Sequence, residues 1–157
     1  MMMRRQVFST VLGVAAVVAS LTTVAAAQPS LRVASPDGKN VVTVSVRQGT
    51  LSYSLDREGK PVLLPSRLGF EFRGAPPLGD SVRIVDSART KADETWTQPW
   101  GEVAHVRDQH NELRVTAEET TSLHRRFVVA FRAFDDGVAF RYELPEQPGL
   151  EIGRAHV

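Results

Sequence analysis

The residues with most chemical potential lie in one short stretch. Asp93, Glu94 and Glu102 flank Trp96 and Trp100. Carboxyl groups can move protons or accept sugar hydroxyls, and indole rings stack on the apolar faces of pyranosides, so this is the composition of a sugar site. The plainer reading is a loop: its acids cap turns or face water, and its tryptophans anchor it against the domain or a partner.

Other chemistries lack their residues. Without cysteine there is no thiol nucleophile and no thiolate metal site. His105, His110, His124 and His156 show no i,i+4 pair of the helical zinc motif. His110 sits near Asp108, Asn111 and Glu112 and reads as a solvated or hydrogen-bonded histidine in a polar turn. There is no Gly-x-Ser-x-Gly elbow and no phosphate-cradling loop.

These residues must be positioned by strands. Val42, Val44 and Val46 alternate with Thr43 and Ser45, and Leu51, Tyr53 and Leu55 alternate with Ser52 and Ser54. Period-two patterning is that of a sheet with one dry face. Further strands are expected at Leu31 to Ala34, Pro61 to Leu64, Leu68 to Phe72 and Ser81 to Val85. Others are expected at Val103 to Val106, Leu113 to Thr116, Phe127 to Phe134 and Val138 to Leu144. Ser35-Pro36-Asp37-Gly38, Gln48-Gly49 and Asp135-Asp136-Gly137 mark turns. Between Asp86 and Gly101 the periodicity lapses, which predicts an irregular segment. Ala117 to Arg126 is charged enough for a helix, but its threonines favour strand or loop. Nine or ten short strands predict an all-β antiparallel sandwich of two sheets.

The front of the chain reads as a leader over residues 1–27. Arg4 and Arg5 precede an uncharged apolar stretch from Phe8 to Val24, and Ala25-Ala26-Ala27 supplies small residues for cleavage. Export to the periplasm or medium is therefore expected, with no membrane span after cleavage. Of 19 basic residues against 18 acidic ones, two lie in this leader. The remaining near-neutral domain, residues 28–150, has no electrostatic case for nucleic acid. Residues 151–157 read as a tail that does not resemble a domain end.

The string Asp93-Glu94-Thr95-Trp96-Thr97-Gln98-Pro99-Trp100-Gly101-Glu102, followed by Arg107 and His110-Asn111-Glu112-Leu113, resembles the N-terminal domain of glycoside hydrolase family 97. So do Ser35 to Asn40, Gly49 to Leu55 and the run Phe131-Arg132-Ala133-Phe134-Asp135-Asp136-Gly137-Val138-Ala139-Phe140-Arg141-Tyr142. The resemblance spans Leu31 to Leu150. It implies the non-catalytic β-super-sandwich, here incomplete, of an exported α-glucosidase or α-galactosidase acting on α-linked oligosaccharides. It also implies a partner, the catalytic (β/α)₈ barrel that the sandwich packs on and helps to shape. Calcium is implied for the complete enzyme, with one glutamate ligand from the sandwich. Glu151 is the nearest acid, but its surroundings do not match and the role is not carried over. A barrel needs about 250 residues, so this chain of 157 has no room for one beside the sandwich. Two other readings remain at this stage: a free carbohydrate-binding module using the tryptophans, and a structural domain without a ligand.

Overall fold

A computed structural model describes residues 30–73, 75–148 and 150. The expected leader at 1–27, the tail at 151–157 and Glu151 lie outside the described residues. Ten strands run in chain order: β1 (Leu31–Ala34), β2 (Asn40–Arg47), β3 (Thr50–Arg57), β4 (Lys60–Arg67), β5 (Phe70–Phe72), β6 (Ala75–Leu78), β7 (Val82–Thr97), β8 (His105–Glu119), β9 (Arg126–Ala133) and β10 (Val138–Glu143). They form an antiparallel meander β1-β2-β3-β4, a second antiparallel sheet ordered β10-β9-β8-β7, and the β5-β6 hairpin. The expected all-β sandwich is what the described residues form.

Alternation explains the packing. Val42, Val44 and Val46 of β2 and Leu51 of β3 face Leu113, Val115 and Ala117 of β8 and Phe127, Val129 and Phe131 of β9. Each fully buried Val, Leu or Phe contributes roughly 1.5–3 kcal/mol of transfer free energy. Leu68 and Leu78 bring the ends of the β5-β6 segment into the same core.

That segment is also fixed by polar contacts. Arg125 is almost fully buried; it forms a two-pronged pair with Glu119, at 2.7 and 2.8 Å, and donates to the carbonyls of Pro76 and Pro77. Four of its five N–H donors are thus paired inside the protein, as a buried cation requires. The Gly69 N–H donates to the Tyr142 hydroxyl at 3.1 Å, tying the segment to the edge strand β10.

The outer face of the second sheet carries charge instead. Glu112 and Glu118 are buried beneath arginines: Arg132 and Arg114 approach Glu112, and Arg83 and Arg126 bind Glu118. Burial raises the Glu112 carboxyl, but the Arg132 hydrogen bond and the charges of Arg132, Arg141 and Arg114 more than offset it, leaving the carboxyl below its ordinary range.

Three local expectations require correction. The stretch from Asp86 to Thr97 is not irregular: it is most of β7, a strand of 16 residues. Val103 to Val106 and Leu113 to Thr116 are not separate strands, because β8 runs unbroken from His105 to Glu119. His110 therefore lies on a strand rather than in a turn, and it is buried. The physical reason is shared. β7 and β8 pair with each other along their whole length, so backbone hydrogen bonding carries both strands past the stretch of β8 whose inner face lines the core.

Candidate functional site

β7 and β8 stay paired from Val82 opposite Glu119 to Thr97 opposite His105, whereas β9 ends at Ala133 opposite Asn111. Ala92–Thr97 and His105–His110 consequently run on as a two-stranded arm past the end of β9. The loop at its tip is closed by the Gln98 N–H to Ala104 carbonyl bond, 3.0 Å, and by the Gln98 side-chain amide on the Val103 carbonyl, 2.9 Å.

Strand alternation sorts the expected site residues onto two faces. Asp93 lies on one face with Arg107 and Gln109; Glu94 and Trp96 lie on the other with Val106, Asp108 and His110. Trp100 and Glu102 are exposed in the tip loop. The five candidates thus do not converge. Asp93 and Glu94 also stand on β7 and not on a loop; only Trp100 and Glu102 belong to loop.

Asp93 is engaged. Arg107 grips both of its oxygens, at 2.7 and 2.8 Å, and this hydrogen bonding holds the carboxyl below its ordinary range. Glu94 sits directly opposite Asp108, so two carboxylates share a face, but they stand on a ribbon rather than across an enclosed cleft. Trp96 is 49% exposed and Trp100 78%, and with Val103 they leave the arm with unpartnered apolar surface.

The sheet brings other residues to Trp96. A groove of about 580 Å³ separates the arm from the β9–β10 turn and is lined by Trp96, Val106, Asp108, Phe134, Asp135 and Asp136, with Arg107 and Gln109 at its side. Its volume falls within the usual range for small-molecule sites, about 300–1,000 Å³. Asp108 accepts a short hydrogen bond from the ring of His110, which packs against Phe134 with centroids 5.1 Å apart. The sequence reading named Asp108 only as a neighbour of His110, and it missed Phe134, Asp135 and Asp136 as site residues. Their signal was present only as a turn motif, and the register of Asn111 with Ala133 is what carries that turn to the arm.

Among the described residues, no three His, Cys, Asp or Glu side chains are grouped to hold a metal ion. The calcium implied by the resemblance therefore finds no ligand set among them.

Residues 33–156 match the family model described as glycosyl-hydrolase 97 N-terminal. Among curated relatives, a retaining alpha-galactosidase of Bacteroides thetaiotaomicron is 27% identical over 116 residues, 74% of this chain and 16% of that protein. A probable retaining alpha-galactosidase of Streptomyces bingchenggensis is 33% identical over 110 residues, 67% of this chain and 16% of its own length. Among solved structures, a glycoside hydrolase family 97 enzyme from Pseudoalteromonas sp. strain K8, in complex with acarbose, superposes with a TM-score of 0.74 at 42% identity. The match covers 76% of this chain and 18% of that one. A beta-arabinopyranosidase is similar at a TM-score of 0.67 and 29% identity, with 76% and 19% covered. The chain thus spans about a sixth of the curated relatives it matches, and it belongs to the family of glycosyl-hydrolase 97 N-terminal domains.

Proposed function

We propose that this chain is the non-catalytic N-terminal sandwich of an exported α-glycosidase, an α-glucosidase or α-galactosidase that hydrolyses α-linked oligosaccharides on a (β/α)₈ barrel. The sandwich packs on that barrel and shapes its active site. The observation that carries this reading is the family match over residues 33–156, together with the small share of each enzyme that the matched segment represents. The arm supports it from this chain's side. Trp100 and Val103 are exposed at its tip, where an isolated domain gains nothing from apolar side chains. Charged Arg4 and Arg5 ahead of an uncharged stretch support export, to the periplasm or the medium.

The test compares two polypeptides on chromogenic α-glucoside and α-galactoside. The product of the whole locus, barrel included, hydrolyses at least one of them, and the 157-residue chain hydrolyses neither. Turnover by the chain alone would overturn the reading.

A further inference from the structure

We infer that the groove between the β7–β8 arm and the β9–β10 turn is a saccharide-binding site of this domain in its own right. It is built from Trp96, Asp108, Asp135 and Asp136. Trp96 forms one wall and is half exposed, so an indole face is open to a ligand. The opposite wall is the turn, whose Asp136 makes no hydrogen bond within the protein among the described residues, and whose Asp135 uses only Oδ1, which accepts from the Asp37 N–H at 2.8 Å. Asp108 lies between them. One of its oxygens accepts from the ring of His110, while the other has only Arg132, 4.0 Å away.

This combination matches the surface of a pyranose. One face of the sugar ring is a patch of C–H groups that stacks on an indole, and its edge is a row of hydroxyl donors. A carboxylate is acceptor-only and can take two neighbouring hydroxyls at once, with hydrogen bonds strengthened by its charge. Three carboxylates and one indole facing a groove thus offer both kinds of contact. The floor is also polar: β8 has lost its β9 neighbour over His105–His110, so part of its backbone edge is unpaired there. That edge could in principle accept a peptide strand instead. The Asp135–Asp136 turn argues against this, since it lines the groove with carboxylates, which offer a peptide backbone no donors to pair its carbonyls.

His110 is a positioning residue. Buried, and packed against Phe134 with the rings tilted, it holds Asp108 in the groove wall. Asp93, Trp100 and Glu102 lie outside the groove and take no part.

The site belongs to the isolated chain and does not depend on docking to a barrel, so the two readings fail separately. The experiment is a calorimetric titration of the 157-residue chain with maltotriose and, in parallel, raffinose. The expected result is saturable binding of at least one sugar. W96A and D136N should each weaken that binding by about tenfold or more, the loss of roughly 1.4 kcal/mol of contact, while W100A leaves it unchanged. Circular dichroism verifies the fold of each variant, and W96F, which keeps an aromatic face, should recover part of the affinity. No heat of binding with either sugar, or equal affinity in W96A and the parent chain, would overturn the inference. Binding of an extended peptide along β8 in place of sugar would do the same.

Discussion

Arg107 holds Asp93 across the arm by two parallel hydrogen bonds, Nε to Oδ1 at 2.7 Å and Nη2 to Oδ2 at 2.8 Å. Asp93 lies on the face turned away from Trp96, and Arg107 occupies both of its oxygens. Asp93 is therefore a brace of the arm. D93N should leave sugar affinity unchanged and lower stability only slightly, because the pair is exposed to water and screened by salt. Calorimetry and a urea titration check the two halves of this expectation. Abolished sugar binding in a folded D93N protein would place the binding face on the wrong side of the arm.

Removing Arg125 should be far more damaging. Its guanidinium is buried against Glu119, and the Pro76 and Pro77 carbonyls have it as their partner. R125A would strand the buried Glu119 carboxylate and leave the Pro76 and Pro77 carbonyls without this donor, at a cost of about 3–5 kcal/mol. R125K keeps the charge but not the fork, and should fall between the two. Urea unfolding of the three proteins provides the measurement.

The folded domain should lose stability in acid. Arg114, by hydrogen bonding, and Arg141 hold the Glu143 carboxyl at about 2, against an ordinary value of 4.5. A hydrogen bond from Ser35 and another from the Lys39 N–H likewise hold Asp37 at about 2. A depressed folded-state value means that the unfolded chain binds protons first as pH falls. The stabilisation is complete above the ordinary carboxylate range, declines below it, and is gone once pH passes about 2. Urea midpoints should be level near neutrality and drop in that window, and E143Q should make the drop shallower.

Gly79 should tolerate no side chain. Its φ is +119°, and a Cβ there would lie 2.5 Å from the Leu68 carbonyl oxygen and 2.6 Å from the Gly69 Cα. Both obstacles are backbone, so neither can swing aside. G79A should destabilise the chain clearly, whereas G59A, which meets nothing within 4 Å, should show only the milder effect of its left-handed φ of +76°. Thermal melts of the two variants side by side would show the contrast.

The sequence was most legible where one face of a strand is dry. Val42, Val44 and Val46 alternate with polar residues because water lies on one side of β2 and the core on the other. The arm has water on both faces, so Lys91 to Trp96 show no alternation and the strand was invisible to a hydrophobic pattern. In β8 the outward carboxylates Glu112 and Glu118 are covered by arginines from β7, β9 and β10, and a buried polar residue on an outer face disguises a strand as a loop.

The site was only partly legible for a related reason. Of the groove residues Trp96 alone could be picked out by residue type, because an indole beside acids is uncommon in a plain loop. Asp135 and Asp136 lie some forty residues further along the chain, and nothing local marks them as more than a turn. Only the antiparallel register of β8 with β9 sets them across from Trp96. Spacing within a segment also misled: Asp93 and Glu94 are neighbours in sequence, and for that very reason they point to opposite faces of β7.

The most direct test of the central claim is to read the genomic DNA downstream of codon 157 and translate it in all three frames. The predicted result is a coding sequence that continues into further strands and then alternating strands and helices of a (β/α)₈ barrel, with carboxylates at the strand ends. A locus encoding this domain alone, with no barrel-encoding frame beside it, would contradict the assignment to a glycosidase.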